Sequence, residues 1–133
     1  MKTSNEQPDP PESLLSKERK AFSAAFSGLW GTWKSERHFQ FHVIVAVLVG
    51  VVAWWLKCEA WEWSILLICI AQVLSLELIN TALERVVDLA QPDWHPLAKQ
   101  AKDCAAAGVF VSALAAICVG VILLGPKLLA MLA

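Results

Sequence analysis

"CAAAGVFVSALAAICVGVILL", residues 104 to 124, runs for 21 residues without a charged side chain. A helix needs about 20 predominantly apolar residues to cross the hydrocarbon core of a bilayer, so this stretch spans by length alone. Two more apolar stretches precede it, Phe39 to Leu56 and Trp61 to Ile79. Taken narrowly they hold only 14 residues each, Val43 to Leu56 and Trp63 to Leu76; with their interfacial aromatics they reach 18 and 19. Composition agrees: 57% of the 133 residues are hydrophobic and 17% are charged, where a soluble domain carries about 25% charge. The Trp residues are grouped at the ends of the runs, Trp30 with Trp33, then Trp54, Trp55, Trp61 and Trp63, as in an interfacial belt. A net charge of -1 makes no case for nucleic acid.

Outward from these spans, "MKTSNEQPDPPE", residues 1 to 12, is polar and Pro-rich and predicts a disordered tail. No apolar run with a small-residue cleavage site follows the early basic groups, so no cleaved leader is expected. Residues 13 to 37 place Leu15, Phe22, Phe26, Leu29 and Trp33 at helical spacing, with Lys17 and Lys20 on the other side. That pattern predicts an amphipathic helix lying in the membrane surface. At the other end, Gly125 and Pro126 predict a helix break and a short tail over 125 to 133. The expected fold is therefore all-α and integral to the membrane: three transmembrane helices, at about 39–56, 61–79 and 104–124, plus the N-terminal surface helix.

Lys and Arg beside the spans number five, one, three and one along the chain. The alternation places the N-terminus and the second connection on the cytoplasmic side, with the C-terminus outside.

"LELINTALERVVD", residues 76 to 88, then stands out at the inner end of the second span. With Glu77 set at zero and about 100° per residue, Asn80 falls at about 300°, Thr81 at 40°, Glu84 at 340° and Asp88 at 20°. One stripe carries every polar group. An ionisable residue at membrane depth is costly and points to function; the structural alternative is a polar seam that binds helices together.

A second cluster, "HPLAKQAKDCAAAG", sets Lys99, Lys102 and Asp103 on one face at the entry to the third span. The small residues that follow permit close helix approach. Glu36 and Arg37 supply further charge at the same level. Acids beside lysines at a cytoplasmic membrane face suit a divalent cation carrying phosphates, since Mg²⁺ is usually held by one or two carboxylates plus substrate phosphates. The six glycines form neither a GxxxxGK[ST] loop nor a GxGxxG fingerprint. His38 and His42, spaced i, i+4, lack a third ligand and read as interfacial packing, and His95 sits in a loop. The four Cys have no metal-type spacing.

Together "LELINTALERVVDL", "LAKQAKDCAAAGVF" and the upstream "RKAFSAAFSGLWGTWKSERHFQFH" resemble the small bacterial membrane lipid kinases of the diacylglycerol kinase and undecaprenol kinase family, over about residues 14 to 124. The resemblance implies a homotrimer in the bacterial cytoplasmic (inner) membrane that uses Mg·ATP to phosphorylate the hydroxyl of a lipid, either diacylglycerol or undecaprenol. By motif position, Glu77 matches the general base and Asn80 the polar residue beside it. Glu36 and Glu84 match the Mg²⁺-binding glutamates, Lys102 and Asp103 the pair at the nucleotide phosphates, and Lys17 a basic ATP contact near Arg19 and Lys20. Asp88 adds a further polar-face residue. Ala24 and Trp30 stand where some members carry polar or basic groups. "SERHFQFH" and "INTALERVVDL" look more like the undecaprenol branch. Two rival readings remain: a non-catalytic membrane scaffold that uses the stripe for assembly, and an ion pathway. The outer halves "VGVVAWWL" and "WSILLICI" argue against the second by offering nothing to carry an ion.

Overall fold

The computed structural model describes residues 13 to 132; the expected disordered tail, residues 1 to 12, lies outside them. Four helices follow in order: α1, Leu14–Ser35; α2, Arg37–Trp55; α3, Ala60–Ala90; and α4, Pro96–Leu132. There is no strand among the described residues. By compactness the chain divides at Gly31, within α1. The first unit, as far as it is described, is a helical segment whose Leu15, Phe22 and Phe26 are largely exposed, which suits an apolar face that rests in lipid rather than on protein.

In the second unit, α2, α3 and α4 are each long and apolar enough to cross a membrane. The expected span 39–56 nearly coincides with α2, 61–79 is the first part of α3, and 104–124 is the middle of α4. The 31 residues of α3 rise about 46 Å, against a hydrocarbon core of about 30 Å, so one end of α3 stands well clear of lipid. The helix α3 packs most extensively on α4 and less on α2. Its buried face is a single seam of Glu62, Leu66, Val73, Glu77 and Thr81, all at three- or four-residue multiples and so on one side of the helix. Val109 and Ser112 of α4, with Phe39 and Ala53 of α2, complete the buried set among the described residues, apart from Thr32 in α1. Most apolar side chains of the spans face outward, as expected where lipid rather than water is the solvent.

The connections are tight. Glu36 is the one extended residue between α1 and α2, with φ -110° and ψ 109°, and the Gln40 side chain donates to the Trp33 carbonyl at 2.6 Å, covering one open end of α1. After α2, the Cys58 N–H reaches the Ala53 carbonyl at 3.0 Å and the Lys57 N–H the Trp54 carbonyl at 3.1 Å. This is a Schellman cap, and Lys57 occupies its left-handed position with φ 52°.

One expectation fails here. α4 does not break at Gly125 and Pro126 but continues to Leu132 with Pro126 inside it. A spanning helix tolerates Pro better than a soluble one, because leaving the helix would strand more backbone groups than the ring removes. The extension is also fastened: the Lys127 ammonium lies 2.8 Å from Glu62 Oε2, and that same oxygen accepts the Glu59 N–H at 2.6 Å at the start of α3. Beside them, burial first and the Glu62 charge second push the Cys58 thiol above its ordinary range. All four cysteines are free, and such a thiol is inert rather than reactive.

Candidate active site

The stripe on α3 grades from dry to wet. Glu77 and Thr81 are buried, each about 5% exposed; Asn80 and Glu84 are half-buried, and Asp88 is open to solvent. Helical spacing puts these groups on one face, and the length of α3 carries that face out of the lipid. No hydrogen bond or ion pair from the described residues engages Glu77. One turn on, Asn80 Nδ2 donates to Glu84 Oε1 at 3.0 Å, which leaves Asn80 Oδ1 pointing elsewhere. That oxygen is the one buried side-chain polar atom without a partner among the described residues. A buried acceptor left unpaired costs free energy, and a hydroxyl supplied from outside the chain would satisfy it.

Above this pair the charges alternate. The Lys102 ammonium of α4 meets Asp88 Oδ1 of α3 at 2.7 Å, and Lys99 pairs with Asp103 along one face of α4. The Arg85 guanidinium reaches back to the α1–α2 joint, 3.2 Å from Glu36 Oε1 and 2.7 Å from Ser35 Oγ. Glu36, distant in sequence, is thereby drawn to the turn of α3 that carries Glu84.

The profile of the family described as "Prokaryotic diacylglycerol kinase" matches residues 23–124. The chain belongs to that family. Among its relatives, the undecaprenol kinase of Bacillus subtilis is 42% identical over 109 residues, which covers 82% of this chain and 89% of the relative. The diacylglycerol kinase of Synechocystis is 42% identical over 113 residues, 84% of this chain and 65% of that longer protein. The diacylglycerol kinase of Escherichia coli is 31% identical over 105 residues, 79% of this chain and 86% of the relative. Membership makes the chain an enzyme of the lipid kinase class and a membrane protein, as the three long apolar helices require.

Within that frame, the residues expected at the site divide into those the structure brings together and those it does not. Asn80 and Glu84 are in contact, Glu36 joins α3 through Arg85, and Lys102 joins it through Asp88. Lys102 and Asp103 are neighbours in sequence but take different partners, Asp88 and Lys99. Lys17 lies in the first unit, on an exposed position of α1. Arg85 and Lys127 enter the sequence reading only as charges that set orientation, and Glu62 does not enter it as a site residue. The signal for Arg85 was its position one residue beyond Glu84; the crossing that delivers it to Glu36 is not a periodicity. The donor set fits a divalent cation and phosphates. Carboxylates from the α1–α2 joint and α3 stand among cationic side chains. No three His, Cys, Asp or Glu residues among those described gather into a ready-made metal cluster. A cation that arrives with phosphate oxygens and water needs no such cluster.

Proposed function

We propose that the protein is an ATP-dependent lipid kinase that transfers the γ-phosphoryl group to the hydroxyl of diacylglycerol or undecaprenol at the cytoplasmic face of the bacterial inner membrane. One observation carries the reading: Glu77, a buried residue that no described group engages, stands one turn from an Asn80 oxygen that has no donor among the described residues, at the foot of a stripe that climbs to water.

In this reading the single hydroxyl proton of the lipid alcohol lies between Asn80 Oδ1, which orients it on binding, and Glu77, which accepts it for transfer. Glu77 takes the proton as the alcohol oxygen bonds to the γ-phosphorus and the bond to the β–γ bridging oxygen breaks, releasing ADP. Lys102, with its Asp88 partner, offsets the negative charge on the phosphates, and Asp103 and Lys17 contact the nucleotide. Glu36 and Glu84 hold Mg²⁺, which when bound neutralises phosphate charge and aligns the donor. Asn80, through its bond to Glu84, ties the base to the metal-binding side. The excess of Lys and Arg on the N-terminal segment and the second connection supports a cytoplasmic site. The outward apolar faces suit both lipid and further copies, consistent with a homotrimer.

The relatives carry both substrate names at the same 42% identity, so the lipid must be read by assay. Purified protein in detergent is given ATP with diacylglycerol and undecaprenol side by side, and Glu77→Gln as control. Transfer to one lipid, abolished in the variant, is expected. Absence of transfer to either would favour the scaffold reading.

A further inference from the structure

Glu36 and Glu84 come from different elements, and Arg85 supplies the link between them. Three groups meet at the α1–α2 joint: Arg85 donates to Ser35 Oγ at 2.7 Å and to Glu36 Oε1 at 3.2 Å, and Ser35 Oγ donates to the same Oε1 at 2.9 Å. Both donors converge on one carboxylate oxygen. No described residue donates to Oε2. The backbone at Glu36 is extended between two helices, so neither helix fixes the side chain, and the clasp does so instead.

We propose that Arg85 is a positioning residue for Glu36: with Ser35 it holds Oε1 so that Oε2 is presented to the divalent cation. The inference rests on the reading of Glu36 and Glu84 as cation-binding carboxylates. An exposed ion pair contributes little to stability, and the Arg85 and Glu36 side chains are 56% and 32% exposed. The value of the contact is therefore orientation. Ligating carboxylates are themselves held by outer hydrogen bonds, and loss of such a partner weakens metal binding by about 10 to 100-fold. Arg85 also offsets the repulsion between two carboxylates that must share one cation. Its charge taken alone opposes the cation, which gives the proposal an opposite outcome to be tested against.

The test uses the full chain in detergent with a non-hydrolysable ATP analogue and Mn²⁺ as the probe, titrated by electron paramagnetic resonance. Arg85→Ala should weaken Mn²⁺ binding by about 10-fold or more. Arg85→Lys keeps the charge and should recover part of the loss, since a flexible ammonium can still donate to Glu36 and Ser35 but lacks the rigid planar guanidinium that fixes the direction of both bonds. Ser35→Ala, which changes no charge, should weaken binding several-fold. Unchanged or tighter Mn²⁺ binding by Arg85→Ala overturns the proposal. Should that variant fail to fold, wild-type affinity in both Arg85→Lys and Ser35→Ala overturns it equally. Glu36→Gln separates the two levels. If it binds Mn²⁺ like wild type, Glu36 is no ligand and the underlying reading falls; if it loses binding while the Arg85 and Ser35 variants keep it, only the clasp falls.

Discussion

The buried seam of α3 has a glutamate near each end, and the two are treated in opposite ways. Glu62 and Glu77 are about equally buried, 4% and 5% exposed. Glu62 is engaged at Oε2, by Lys127 and by the Glu59 N–H. Glu77 is engaged by no described residue and has an orphaned Asn80 oxygen for a neighbour. A buried charge that is paired and hydrogen-bonded fixes two helix ends together. A buried carboxylate left open serves stability poorly, which supports the proposed role of Glu77 in binding something from outside the chain. Burial alone thus does not separate structure from chemistry on this helix; satisfaction does.

That contrast can be broken at either end. The largest effect is expected at Glu77: Glu77→Gln should remain helical and soluble in detergent while lipid phosphorylation falls by about 10²- to 10⁴-fold, and near-normal turnover would erase the distinction. Lys102→Ala should lower the rate by about 10²- to 10³-fold through loss of charge compensation; an unchanged rate at saturating ATP would confine Lys102 to its bridge with Asp88. At the opposite end, Lys127→Ala leaves Glu62 buried without its cation and should lower the thermal midpoint while leaving turnover intact well below it. The pair Glu62→Gln with Lys127→Met should recover part of that midpoint, and a double-mutant cycle isolates the coupling. Loss of turnover in folded Lys127→Ala would show that the outer end takes part in chemistry. The smallest effect sharpens the structural side. Lys57→Gly relieves a left-handed non-glycine residue and should stabilise by about 1 kcal/mol, read as a higher unfolding midpoint with unchanged activity.

How much of this was legible before the structure depends on whether a feature is a period or a crossing. The stripe of Glu77, Asn80, Glu84 and Asp88 follows from the helical repeat, and its gradient from buried to exposed follows from the length of the span. The three spans and the early helix are legible for the same reason; the first two helices end within about two residues of expectation, whereas α3 and α4 run on by several residues because polar extensions of a helix do not register as apolar. Ion pairs between helices are different. Arg85 with Glu36, Lys102 with Asp88 and Lys127 with Glu62 depend on how α3 lies against its neighbours, and no repeat in either partner encodes that angle. Gly125 and Pro126 misled because the breaking tendency of Pro belongs to helices in water, whereas here α4 is held beyond it by Lys127.

The reach of α3 beyond the hydrocarbon has one more consequence. From Glu77 to Asp88 the helix climbs about 16 Å, and along that climb the surroundings change from dry to aqueous. A rigid post graduated in this way works as a depth gauge. In the proposed reading, a lipid need only present its hydroxyl at the height of Glu77, and a water-soluble donor need only descend as far as Glu84, for the two to meet without either leaving its own phase. On that reading, selection by depth places few demands on what hangs below the hydroxyl, in keeping with relatives named for two lipids whose tails have little in common.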